Sequence, residues 1–185
     1  HSLLNEYNFT DKDLQSSCDV EIILPMYIKE STNENDSEKG IVNVLNKLKG
    51  EFAFVLGENL DTFILKDVNV FVARDFLGIK PLYYVFDKTG DLFYFVSEIK
   101  SIPNHILKNN NYIINQVPPG HYWSFNTKKF TEYYNLNNNE CTTHSTSPDS
   151  LTQIYNSINN IVTKSVIARF NENSPFGILL SGGFD

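Results

Sequence analysis

The sequence predicts an α+β domain built on antiparallel strands, followed by the first helix and strand of an α/β unit. Three observations predict it. Residues 18–50 carry apolar positions at helical spacing. Residues 51–135 form a string of short apolar and aromatic runs divided by turn residues. After a polar stretch, an amphipathic run leads to a short apolar segment that opens into Ser181-Gly182-Gly183.

The elements follow in order. In "CDVEIILPMYIKE" (18–30), Ile22, Ile23, Met26 and Tyr27 share one helical face. Asp19 is placed to cap or begin that helix, where a carboxylate meets the positive end of the dipole. Pro25 lacks a backbone donor, which predicts a kink or a shifted start. Residues 31–40, "STNENDSEKG", read as a polar loop, and residues 41–50 as a second amphipathic helix closed by Gly50.

"EFAFVLGE", "TFILKD", "NVFVARD", "PLYYVFDK" and "LFYFVSE" read as antiparallel strands joined by turns. Several are apolar at nearly every position, which predicts cover on both faces, by helices on one side and a second sheet on the other. "QVPPGHYWSFN" and "KFTEYYN" predict two more strands around the Pro118-Pro119-Gly120 turn.

Residues 135–147 read as a linker between a domain at 1–134 and the start of another at 148–185. Ser147, Pro148 and Asp149 suit a helix start. Leu151, Ile154, Tyr155, Ile158, Ile161 and Val162 give that helix one apolar stripe. Phe176 and Ile178 to Leu180 predict the closing strand.

Composition narrows the function classes. With 41% hydrophobic and 14% aromatic residues, the chain can build a core and does not read as disordered. A formal net charge of -7 argues against a general binder of nucleic acid or membrane surfaces. The two cysteines, Cys18 and Cys141, match no zinc spacing and read as free thiols. With no apolar run long enough to span a bilayer, a soluble cytoplasmic protein is expected.

The chemistry-bearing candidates are few. A strand ending in Ser181-Gly182-Gly183 offers backbone N–H groups and a hydroxyl around one concavity, a form that holds phosphate oxygens. It lacks the lysine of the Walker loop, which leaves charge neutralisation to a metal. Taken alone, an ordinary strand-end turn explains it better. Arg74-Asp75 interrupts an apolar run before the "FLGIKPLYY" loop, and a half-buried Arg74 needs carboxylate or carbonyl partners. Its plain reading is an ion pair that holds the loop, and the sharper one a site at a domain junction. Glu98 and Lys100 follow a strand and are candidate partners for Arg74 or Lys80. The four histidines lie in loops or beside turns and carry no assigned role.

"ARDFLGIKPLYY", "SEIKSI", "PPGHYW" and "ILLSGGFD", in that order, resemble the glutamine-hydrolysing asparagine synthetases. The first motif is shared in weaker form with other class II amidotransferases. The resemblance implies a glutaminase domain of the N-terminal-nucleophile type, with two antiparallel sheets between helices. It implies next a synthetase domain of the ATP-pyrophosphatase type, with a parallel sheet. In that family an N-terminal Cys attacks the glutamine amide, and ammonia crosses an internal channel to an aspartyl-adenylate made from aspartate and ATP with Mg²⁺.

By position, Asp19 resembles the acid that receives the α-amino group of glutamine. Leu179, Ser181, Gly182, Gly183 and Asp185 resemble the start of the ATP-binding loop. Arg74, Lys80 and Glu98 would support the interface and channel side. The resemblance places the nucleophilic Cys ahead of His1, so this stretch by itself is expected to have neither activity. Cys18 and Cys141 cannot replace it, because an interior residue has no free α-amine. Cys18 stands where the family often has Ser. A homodimer is left open. So are a relative that closes a ring or amidates another acid, and an amidotransferase-like protein that binds without catalysis.

Overall fold

The computed structural model describes residues 2–10, 13–14, 16, 18–58, 69–135, 148–170 and 175–183. The chain divides into two compact units, His1–Asn138 and Asn139–Asp185.

In the first unit, the described residues build four layers. Helices α1 (Ser2–Tyr7), α2 (Ile23–Glu34) and α3 (Ser37–Lys47) form the outermost. Beneath them lies a four-stranded antiparallel sheet in the order β1-β2-β6-β7, from Ala53–Glu58, Asn69–Arg74, His121–Ser124 and Lys129–Glu132. A three-stranded antiparallel sheet follows, ordered β4-β3-β5, from Leu92–Val96, Tyr83–Asp87 and Tyr112–Gln116. The short helix α4 (Asn104–Leu107) packs on its outer face.

Strand alternation explains the layers. On β2, Phe71 and Ala73 face the helices and join Met26, Tyr27, Ile41 and Val44 in one core. Val72 points the other way, into a second core with Leu82, Val117 and Trp123. On β3, Val85 turns outward to Ile102 and Ile106, while Tyr84 and Phe86 pack between the sheets. The doubly apolar runs are thus strands with both faces covered, as the sequence implies.

The helices correct several expectations. α2 runs through Glu34, and α3 begins at Ser37, so residues 31–40 are mostly helical rather than a loop. Within α2 the hydroxyl of Thr32 is satisfied by donating back to the Ile28 carbonyl at 2.7 Å, so a polar Thr is accommodated in the last turn. Asn35 supplies the break with a left-handed φ of 49°. Asp36 then caps α3, accepting from the amides of Glu38 (2.9 Å) and Lys39 (3.2 Å). Gly50 is not its C-cap, because α3 ends at Lys47 with Leu48 extended. Pro25 causes no break. It is the third residue of α2, where the missing N–H has no intrahelical acceptor to lose.

β5, a strand beyond those read from the sequence, pairs with β3 from Tyr83↔Gln116 to Asp87↔Tyr112. The predicted strand at 62–67 and the linker residues 136–147 lie outside the described residues.

In the second unit, α5 spans Pro148–Ile167. The predicted closing strand is not formed. Residues 175–183 belong to no strand, and Leu179 and Leu180 are 102% and 91% exposed. A strand exists through its ladder, and the described residues of this unit provide only a helix.

Candidate functional site

A pocket of about 640 Å³ opens in the first unit, and Asp19 lies on its wall. Three pieces of chain enclose it: Leu3 and Leu4 of α1, the segment through Cys18, Asp19, Ile22 and Ile23, and residues 48–52 after α3. Asp19 opens a single 3-10 turn, Asp19–Ile22, that runs straight into α2.

The capping role foreseen for Asp19 is not filled among the described residues. No side chain caps the turn at Cys18. Instead Glu21 reaches back and accepts from the backbone N–H and the hydroxyl of Ser16, the former at 2.8 Å. The Ser16 hydroxyl in turn accepts from the Cys18 amide at 3.2 Å. The Asp19 carboxylate caps no helix amide among the described residues, and the Cys18 thiol lies 4.0 Å from its Oδ1. A carboxylate held this way at an apolar pocket mouth suits a cationic group such as an α-ammonium. Cys18 is a free, exposed thiol.

A second constellation surrounds the "RDFLGIKP" loop. Arg74 is 5% exposed. Its Nε donates to the Lys80 carbonyl (2.8 Å), Nη2 to Gly78 (2.6 Å), and Nη1 to Val117 (2.7 Å) and to Gln116 Oε1 (3.4 Å). The expected partner Glu98 is not among these acceptors. It pairs with Lys100 on the surface, because β4 gives way at once to a 3-10 turn, Ile99–Ser101. Lys80 contributes its main chain to the constellation, and its side chain points to an exposed position.

The residue that sequence reasoning passed over is Asp75, 1% exposed. Its carboxylate accepts from the amides of Leu77 (3.1 Å), Ile79 (3.0 Å) and Lys80 (3.1 Å). The Tyr133 hydroxyl donates to the Arg74 carbonyl at 2.9 Å, and burial with the nearby Asp75 charge pushes that phenol well above its ordinary pKa. The signal for Asp75 was present: an acid directly before a glycine-bearing turn commonly binds the amides that follow.

In the second unit, Gly182 has a φ of 74° and the Gly183 amide donates to the Ser181 hydroxyl at 3.2 Å. A Cβ at Gly182 would meet nothing within 4 Å, so the turn faces open space. Leu179 precedes it, fully exposed. Asp185 lies outside the described residues.

Residues 1–104, more than half of the chain, match the family described as "Glutamine amidotransferase domain". The chain belongs to that family. The matched stretch of this amidotransferase domain contains both the Asp19 pocket and the Arg74–Asp75 loop. The chain is 36% identical over 142 residues to a probable glutamine-hydrolysing asparagine synthetase of Dictyostelium discoideum, covering 76% of this chain and 23% of that protein. A probable asparagine synthetase of Acanthamoeba polyphaga mimivirus is 27% identical across 99% of the chain and 33% of its own length. A nodule asparagine synthetase of Pisum sativum is 33% identical across 92% of the chain and 25% of its own length. The chain thus spans between 23% and 33% of the length of these relatives. Among the described residues, no helix is long and apolar enough to cross a membrane.

Proposed function

We propose that this amidotransferase domain binds glutamine through Asp19, in a protein that makes asparagine from aspartate, ATP and the ammonia released from glutamine. The observation that carries the reading is the Asp19 carboxylate, which caps no helix amide among the described residues and lies on a pocket within the matched residues. The names of the relatives support the product. A carboxylate facing the α-ammonium of glutamine selects an amino acid over a simple amide.

The bond-breaking nucleophile is not Cys18. Attack assisted by the attacking residue's own α-amine requires a chain terminus, which an interior cysteine lacks. Arg74 and Asp75 act by fixing a loop and take no part in bond breaking. On this reading the fixed loop keeps one shape for the passage of ammonia toward the synthetase site.

The Ser181–Gly183 turn has the open space and the left-handed glycine that a diphosphate needs. These residues would hold the pyrophosphate portion of ATP, with Mg²⁺ offsetting its charge, and Leu179 would extend into a strand of the parallel sheet. ATP there would convert the aspartate carboxyl to its adenylate with loss of pyrophosphate, and ammonia attacking that carbonyl would displace AMP, a good leaving group for a weak nucleophile.

The test is Asp19→Asn in the full-length protein. Glutamine-dependent asparagine formation should lose about tenfold or more in kcat/KM through KM. Synthesis driven by ammonium chloride should stay at the wild-type rate. An unchanged glutamine KM would remove Asp19 from recognition. Absence of any aspartate- and ATP-dependent amide formation with ammonium would remove the synthetase reading.

A further inference from the structure

One cluster of charged side chains ties together all three walls of the Asp19 pocket without lining the pocket itself. It sits on Tyr7, the last residue of α1; Glu30, within α2; and Lys47, the last residue of α3. The Tyr7 hydroxyl donates to Glu30 Oε1. Lys47 Nζ donates to the same oxygen at 3.1 Å, and Asn43 Nδ2 donates to Oε2 at 3.0 Å. Lys47 also pairs with Glu6 of α1 at 3.1 Å and lies 4.6 Å from the centre of the Tyr7 ring. Lys29 Nζ donates to the Tyr7 carbonyl at 2.9 Å.

The three anchors are wall-bearing elements. α1 carries Leu3 and Leu4, α2 begins beside Asp19, and Lys47 directly precedes the 48–52 segment. α1 has only six residues, too few to hold a helix or a position by itself. Glu30 is 9% exposed, so its charge persists there only because three donors surround it.

We propose that Glu30 is a positioning residue for glutamine binding: by holding Tyr7 and Lys47 together, it sets the spacing of α1 and the 48–52 segment around Asp19. This rests on the pocket being the glutamine site. A displaced wall changes how well the substrate is seated, and small misplacements of a binding group are costly.

The experiment uses the full-length protein and the variants Glu30→Gln, Lys47→Met and Tyr7→Phe, with Asp19→Asn beside them. KM and kcat are measured for glutamine hydrolysis, and the rate of synthesis is measured with ammonium chloride replacing glutamine. Glu30→Gln is expected to raise the glutamine KM about tenfold, with kcat within about twofold and the ammonium-driven rate unchanged. Lys47→Met should follow it, and Tyr7→Phe should raise KM less. If Asp19→Asn raises KM while the other three leave it unchanged, the inference falls alone. If Asp19→Asn also leaves KM unchanged, the glutamine reading falls with it. A parallel loss of kcat and of the ammonium-driven rate would make Glu30 a fold-stabilising residue and overturn the proposal. Should Glu30→Gln fail to fold, Tyr7→Phe decides, since it removes one hydroxyl: a raised KM supports positioning and a wild-type KM overturns it.

Discussion

Arg74 and Asp75 are neighbours of opposite charge, both buried, and each spends its charge on the main chain rather than on the other. Arg74 donates to the carbonyls of Gly78, Lys80 and Val117, and Asp75 accepts from the amides of Leu77, Ile79 and Lys80. The loop is therefore held from both sides of its peptide groups. Asp75→Asn keeps the shape but puts an NH₂ group against an amide donor. It is expected to destabilise the protein by about 3 kcal/mol, since hydrogen bonds to a buried charged acceptor are the costly ones to lose. Urea denaturation of the two proteins measures it, and a change below about 1 kcal/mol would contradict the arrangement.

Gly78 and Gly120 flank the same loop with φ of 66° and 68°. A Cβ at Gly120 would lie 2.4 Å from the Tyr134 carbonyl oxygen, and one at Gly78 would lie 2.8 Å from Pro119 Cγ. Gly120→Ala should cost the more, because its obstacle is backbone, whereas a proline ring can yield slightly. A loss of about 2 kcal/mol or more is expected at Gly120 from strain and overlap together. Thermal melts of the two alanine variants give the order directly.

Glu38 joins α3 to the first sheet, accepting from the Tyr122 hydroxyl at 2.7 Å and from the Ser124 hydroxyl. Burial, then the hydrogen bond to Glu38 and that carboxylate's charge, push the Tyr122 phenol up to about 12. Glu38→Gln should lower it part-way toward 10.0, with burial still holding it above. The ¹³Cζ shift of Tyr122 followed against pH reports this, and an unmoved titration would deny the charge a role.

The Tyr7–Glu30–Lys47 cluster fixes a pH window. Burial opposes ionisation of Glu30, but the hydrogen bonds from Tyr7, Lys47 and Asn43 outweigh it and hold the carboxyl below 4.5. A lowered carboxylate stabilises the fold above its unfolded pKa, and that contribution disappears as pH falls through the lowered value. Lys47 is shifted upward, first by the Tyr7 hydroxyl, so its contribution is complete below 10.5 and lost as pH rises beyond its raised value. Glu30→Gln should flatten the acid limb of a stability–pH profile below about 4.5 and leave the slope between pH 6 and 8 unchanged.

The layered fold was legible wherever periodicity was strong. The doubly apolar β2 and β3 announced a sheet covered on both sides, and Phe71 against Val72 shows the two faces. Polar segments misled. "STNENDSEKG" is polar because its helical residues face solvent and because Asn35 and Asp36 perform the break and the cap. β5 was hidden by the asparagines before it, although its register with β3 is continuous. Asp19 was found by resemblance, but the folding back of Glu21 to Ser16 just before it is a contact that composition does not encode. The partners of Arg74 came out as carbonyls and not Glu98, because closing a loop onto a guanidinium is a tertiary event.

Trp123 is the chain's one tryptophan, and its indole lies between the two sheets among Phe86, Phe95 and Phe125. Its Nε1 has no hydrogen-bond partner among the described residues. The indole thus serves as an optical gauge of this unit: with its Nε1–H unpaired among the described residues and aromatic rings around it, emission is set to the blue while the sheets stay closed. In this chain, a variant or denaturant that parts them will register as a red shift from Trp123.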